Sequence, residues 1–439
     1  KRVVKSAVLL KVKRNADGEI VTFKARAIAK GYSQVQGVDY DETFAPVARR
    51  ESVRMLLGLA TEWNMLVHQM DVNTAFLYAE LEEEVYMEQP DGMIQRDPSL
   101  FVWRLHKCLY GLKQSPRKWN SEMDRTLRAL GFYVSKVDPC IYVMCRGELQ
   151  SLVLIALYVD DLLIAACNAE LLQQIKEALQ TRYKMKDLGE ALWCLGMRIT
   201  RDMVGGWMQI DQRKFIEDIL VRFGMENCRP ISTPMEQDAR YWQYPAEESQ
   251  PLDSEIPYRA AVGCLNYLAI TTRPDLAYVV SWLSKFVESP NMDHWEALKR
   301  VLRYLRGTNE VGIKFHRSGR ASELRVLIYS DSDWSGDLSS GRSTTGVVSM
   351  LSSGAVLWTS KRQNSTAQSS AEAEYMALGT GVQDAIWMTE WLAEIGCEVK
   401  SSVAVYSDSS SAIAMSENPI SKKAIRHVRV KYHLVRENV

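Results

Sequence analysis

Two adjacent carboxylates, Asp160 and Asp161, stand in the stretch ALYVDDLLIAA at 156–166, between apolar runs at 152–159 and 162–166. Burying an unpaired carboxylate is costly, and two side by side also repel, so a core strand tolerates the pair only with a compensating cation or metal. An exposed hairpin turn would account for the pair equally well. A third carboxylate, Asp71, lies in the apolar company of MDVNTAF, 89 residues before Asp160. Oxygen ligands from two adjacent strands can clamp two hard cations, so three convergent carboxylates predict Mg²⁺.

That chemistry makes demands on the surrounding elements. Successive strand residues face opposite sides, so Asp160 and Asp161 act together only at or beside a turn joining LVLIALYV to LLIAA. Upstream, ESVRMLLGLATEW sets Val53, Leu56, Leu57 and Ala60 at helical spacing, and MDVNTAF is strand-like. SPRKWNSEMDRTLRALG is a helix with Ser115 as N-cap, Pro116 at the first helical position and Gly131 past its end. A helix through Leu171, Leu172, Ile175 and Leu179 follows the Asp pair, and ALWCLGMRI reads as a further strand. Farther on, LRVLIYSDSDW, STTGVVSML and AVLWTSKRQ are strand-like, SAEAEYMALGTGVQDAIWMTEWLAEIG is a long amphipathic helix, and SVAVYSDS is another strand. The class is α+β.

A chain of 439 residues, 46% apolar and 25% charged, is globular and long enough for two to four domains. Its apolar runs fall well short of the roughly 18 residues a membrane span needs, so a soluble protein with no membrane partner is expected. Eight cysteines without a C-x-x-C pair point to reduced, intracellular thiols. The chain opens KRVVK and ends RENV, which reads as a piece of something longer. Formal charge is zero, yet residues 1–50 carry eleven Lys/Arg against five Asp/Glu, and residues 419–439 carry six against one. Basic ends of this kind suit a phosphate-rich partner. HWEALKRVLRYLRG adds Lys299, Arg300, Arg303 and Arg306 beside an apolar stripe, which a solvated helix face also explains. Five of the thirteen prolines crowd into a long loop at 229–257, and GTNEVGIKFHRSGRASE at 307–323 is a weaker break. Boundaries near 200 and 320 give three sections: 1–200, 201–320 and 321–439.

The residues resemble the reverse transcriptase region of copia-type LTR retrotransposon Pol polyproteins. The matching stretches are FKARAIAKGYSQ (23–34), DYDETFAPVAR (39–49), HQMDVNTAFL (68–77), LYGLKQSPRKW (109–119), LYVDD (157–161), LGMRI (195–199), TRPDLAY (272–278), LKRVLRYLRGT (298–308), STTG (343–346) and AEAEYMAL (371–378). The resemblance implies a right-hand polymerase, with fingers and palm over 1–200 and thumb and connection over 201–320. An incomplete ribonuclease H-like α/β domain over 321–439 would follow.

Site roles follow from the same resemblance. Asp71 is similar to the family's motif A aspartate, and Asp160 with Asp161 to motif C, holding two Mg²⁺ ions (Mn²⁺ as the alternative) around the primer 3′-hydroxyl and the incoming α-phosphate. Phe76 matches the steric-gate position against a 2′-hydroxyl, or is a core phenylalanine. Lys24 and Arg26 resemble the fingers cations that grip a deoxynucleoside triphosphate, although an alternating strand with a solvated cationic edge would look the same. Tyr110, Gly111, Lys113 and Gln114 fall in the motif B segment that meets template and nucleotide. Gly196 and Met197 match the primer-grip hairpin. The β-β-β-α-β order of the last section is the ribonuclease H order, implying a second pair of metals held by Asp331, Glu374 and Asp408. Glu374 is preferred to Glu372 because E-Y-M-A fits that pattern better.

Three departures qualify the match. Tyr78 and Ala79 follow AFL where the family has Asn or His then Gly, Ser409 and Ser410 follow Asp408, and Arg429 stands where an acid is expected after His427 and Val428. The family's fourth ribonuclease H aspartate would lie beyond Val439, so hybrid cleavage is expected to be impaired. The expected partners are RNA template, DNA primer, RNA/DNA hybrid, deoxynucleoside triphosphates and other Pol segments of a parent polyprotein. The expected location is intracellular, in a cytoplasmic virus-like particle or the nucleus. The alternative is a decayed or domesticated product that binds nucleic acid without catalysis.

Overall fold

The structure is a computed structural model of the chain. It describes residues 2–14, 19–145, 147–236, 250–319, 324–337, 339–397, 403–417 and 435. Residues 237–249 of the proline-rich loop, the segment containing His427, Val428 and Arg429, and all of the basic stretch 419–439 except Val435 lie outside the described residues. Two compact units emerge: Lys1–Ser52 with Leu66–Glu190, and Val53–Met65 with Ala191–Val439.

The first unit is built on six antiparallel strands in the order Met185–Glu190, Leu66–Val72, Asp161–Ala166, Val153–Tyr158, Ile141–Met144 and Tyr133–Val134. Alternation along these strands sends Met70, Val72, Ile155, Leu157, Leu162 and Ile164 into one core. There they meet Trp119, Met123 and Leu127 of the helix Ser115–Ala129 and Leu172, Ile175 and Leu179 of the helix Ala169–Arg182. Gln69, Asp71 and Asp161, one residue out of phase, fall on the opposite face. Asn168 caps the second helix by accepting from the Glu170 and Leu171 amides. Ser115 is not an N-cap as expected from the sequence. It is the first helical residue, and its hydroxyl turns back to donate to the Leu109 carbonyl at 2.7 Å. A ribbon of Ser6–Arg14 with Ile20–Ala29 and a small sheet of Val3–Val4, Glu80–Met87 and Trp103–Lys107 complete the unit.

In the second unit four antiparallel strands, Trp193–Cys194, Met197–Asp202, Trp207–Asp211 and Ile313–His316, accompany the helices Arg213–Arg222, Tyr258–Thr271, Ala277–Ser284 and Met292–Gly307. The helices share a core that includes Ile216, Leu265, Trp282, Leu298 and Leu302. A further sheet has the order Gly354–Arg362, Arg342–Leu351, Val326–Asp337, Ala404–Tyr406. Its last two strands are parallel, and the helix Ser370–Glu394 packs across it. Arg54 belongs here although its sequence neighbours lead into the first unit. It is 1% exposed, donates to the carbonyls of Val356, Ile270 and Thr271, and lies 4.0 Å from the Trp358 ring centre. Among the described residues no helix is long and apolar enough to cross a membrane, and all eight cysteines are free.

Candidate active site

Tyr158 pairs with Asp161, so Val159 and Asp160 form a two-residue hairpin loop. Val159 has φ +58°, and Asp160 is not among the positive-φ residues. Positive φ at the first loop position alone is the type II′ pattern, which favours glycine. A β-branched residue there costs about 1–2 kcal/mol, so other contacts must hold the turn. Trp119 Nε1 donates to the Val159 carbonyl at 2.6 Å, and the Asp160 carbonyl accepts from the Val72 amide at 2.9 Å. The second bond joins the loop to the strand that carries Asp71.

Asp161 stands directly opposite Asp71 across the central strand pair. A cleft of about 430 Å³ is lined by Asp71, Asp160, Tyr110, Lys24, Arg26 and their neighbours. Burial pushes the Asp160 carboxyl above the usual range and Asp71 adds to this, while Arg26 and Lys24 oppose it. Burial also raises Asp161, with Asp160 and Asp71 adding and a hydrogen bond from Gln69 opposing. Asp161 is not among the cleft-lining residues; its Oδ1 accepts from Gln69 Nε2 at 3.1 Å. Adjacent carboxylates such as Asp160 and Asp161 that resist ionisation are the condition a hard divalent cation relieves.

The remaining expected residues take varied positions. Phe76 is 9% exposed and its ring lies 4.6 Å from Tyr110, which in turn lies beneath the Arg26 guanidinium at 5.4 Å. Gly111 has φ +92°, and a Cβ there would sit 1.9 Å from the Ala29 carbonyl oxygen, so the ribbon approaches where only glycine fits. Lys113 uses its amide on Gln34 and its ammonium on the Tyr40 hydroxyl. Gln114 is 1% exposed, with its carbonyl accepting from Gln34 and its amide donating to the Asp39 carbonyl. These two side chains brace the segment after the ribbon. In the second unit, Gly196 has φ +79° beneath the Tyr267 hydroxyl, which donates to the Leu195 carbonyl, and Met197 is fully buried. Tyr78, a departure from the family pattern, accepts from the Lys184 amide and packs edge-on to Tyr183.

A second acidic cluster lies in the second unit. Asp331, Glu374 and Asp408 each bring a carboxylate oxygen within 4.8 Å of the others. Glu374 is 8% exposed; its Oε1 accepts from the Ser332 amide at 3.0 Å and hydroxyl at 2.8 Å, and its buried Oε2 has no partner. Burial raises this carboxyl, Ser332 opposes, and Asp331 and Asp408 add to the rise. An orphaned buried oxygen among three carboxylates suits a divalent cation. Glu372 instead accepts from the Gln368 amide at the start of the helix. Sequence reasoning missed Gln69, Trp119 and Ser332. A glutamine inside an apolar strand was the available signal for the first; the other two act through tertiary contacts.

A family model described as reverse transcriptase (RNA-dependent DNA polymerase) matches residues 1–237. The chain is 39% identical over 443 residues to the retrovirus-related Pol polyprotein from transposon TNT 1-94 of Nicotiana tabacum, covering 100% of this chain and 33% of that polyprotein. It is 38% identical over 427 residues to the Pol polyprotein from transposon RE2 of Arabidopsis thaliana, covering 97% of this chain and 29% of the relative. Both relatives are copia-type, and the chain spans about a third of their length. A solved foamy viral protease-reverse transcriptase in complex with double-stranded DNA aligns with a TM-score of 0.51 at 13% identity, over 98% of this chain and 65% of that one. The fold is therefore that of a reverse transcriptase.

Proposed function

The chain belongs to the reverse transcriptase family, and we propose that it copies an RNA template into DNA, using Asp71, Asp160 and Asp161 to hold a pair of Mg²⁺ or Mn²⁺ ions. The observation that carries this reading is the cleft that Asp71, Asp160, Lys24 and Arg26 line together. A cleft lined by carboxylates and cations together matches a substrate that is a metal-bound triphosphate. The bound metal pair would lower the pKa of the primer hydroxyl and neutralise charge on the leaving pyrophosphate. Arg26 offers a planar fork to phosphate oxygens and Lys24 a point charge. Phe76 packs in the core against Tyr110, which lines the cleft; as a steric gate its ring would crowd a 2′-hydroxyl.

The cluster of Asp331, Glu374 and Asp408, on a sheet of ribonuclease H-like order, supports cleavage of the RNA strand of a hybrid as a second activity. The carboxylates would hold a second metal pair, with Ser332 fixing the Glu374 oxygen that is not offered to it.

The test of the polymerase reading is extension of a DNA primer on an RNA template. Arg26→Ala should raise the KM for deoxynucleoside triphosphate by about tenfold or more, the loss of a charge-assisted contact of roughly 1.5–3 kcal/mol. Template-independent addition, or an unchanged KM in the variant, would count against it.

A further inference from the structure

Gln69 sits on the strand Leu66–Val72 two residues before Asp71, and therefore on the same face of the sheet. The register sets Asp161 opposite Asp71 and Leu163 opposite Gln69, so Gln69 and Asp161 are diagonal neighbours. A glutamine spans that diagonal, and Nε2 reaches Asp161 Oδ1 at 3.1 Å. On its other side Gln69 pairs with Gly189, at a bulge in the strand Met185–Glu190. Glycine has no side chain to draw the amide away. Gln69 thus donates to Asp161, the one of the three polymerase carboxylates that does not line the cleft.

We propose that Gln69 is a positioning residue for the polymerase metals: by donating to Asp161 Oδ1 it fixes that carboxylate and leaves Oδ2 free to be presented beside Asp71 and Asp160. This rests on the metal-binding reading of the three aspartates. A free carboxylate at this place could rotate and offer either oxygen, or both, to one ion. Held through Oδ1, it presents Oδ2 from a fixed direction. Removing a hydrogen-bond partner that orients a metal ligand typically costs 10- to 100-fold in metal affinity. The identity of the donor matters more than the bulk of the side chain. Gln69→Leu keeps the volume and loses the donor, whereas Gln69→Glu keeps the shape and sets a like charge against Asp161.

The experiment titrates Mn²⁺ into the full chain, followed by electron paramagnetic resonance, with Asp331→Asn present throughout so that the second acidic cluster contributes least. The expected result is about tenfold weaker Mn²⁺ binding in Gln69→Leu and a larger loss in Gln69→Glu, with thermal midpoints close to that of the parent. Mg²⁺ titration of single-nucleotide extension should show the same ranking, as a shift in the Mg²⁺ requirement rather than in the rate at saturating metal. One result overturns the proposal: Mn²⁺ affinity unchanged in both single variants. Parent chain that binds Mn²⁺ no better than an Asp71→Asn variant would instead refute the metal-binding reading itself, and the proposal with it.

Discussion

Asp160 sits where chemistry and stability ask for opposite things. Its folded-state pKa is raised, so the folded protein holds protons that the unfolded chain has already released, and stability falls as pH rises through the unfolded value toward the folded one. Above both values the charged form is fully penalised. Asp160→Asn should therefore raise the thermal midpoint in metal-free buffer at neutral pH and have little effect near pH 4; a lower midpoint at neutral pH would mean that the carboxylate is stabilising. At this scale the sequence was informative about the aspartates because like charges inside apolar runs violate the ordinary cost of burial. It was silent about what holds them. Trp119 reaches the Val159 carbonyl from a helix that begins 44 residues before the turn, and no spacing rule encodes such a contact.

Among the elements, the ribbon Ser6–Arg14 with Ile20–Ala29 carries Lys24 and Arg26 to the cleft. It is anchored where the Ala29 amide donates to the Tyr110 carbonyl at 2.8 Å, beside Gly111. Gly111→Ala would place a methyl against the Ala29 carbonyl in a backbone region that L-residues avoid. The cost should exceed about 2 kcal/mol, and because the ribbon must shift to relieve it, nucleotide affinity should fall along with stability. An alanine variant with wild-type unfolding and wild-type KM would show that the approach is looser than the geometry implies. The helices and strands of this region were legible from periodicity, and Gly131 ends its helix as expected, with φ +96°. The Ser115 cap was not, because its hydroxyl has a competing acceptor, the Leu109 carbonyl, brought close only by the fold.

At the scale of the whole molecule the chain holds two acidic centres in separate compact units. Asp331→Asn removes one of the three oxygens around the Glu374 orphan and should abolish cleavage of a labelled RNA/DNA hybrid while leaving primer extension within about twofold, since sites that share no partners are usually independent. Equal loss of both activities would mean that the centres are coupled. The ten short motifs pointed to the family in the sequence. The assignment of residues 53–65 to the second unit was not readable there. Arg54 looks like an ordinary cation in an amphipathic helix, and only the folded chain shows its guanidinium buried against three carbonyls and an indole.

The central claim is that the aspartates at the hairpin and on the neighbouring strand perform RNA-templated nucleotide addition. It is tested most directly by the rate of single-nucleotide incorporation from a pre-bound RNA template and DNA primer with saturating Mg²⁺, comparing the parent chain with Asp160→Asn, while fluorescence anisotropy follows template–primer affinity. The account predicts a rate lower by orders of magnitude in the variant, with affinity changed less than about threefold. Equal incorporation rates in the two proteins would contradict it.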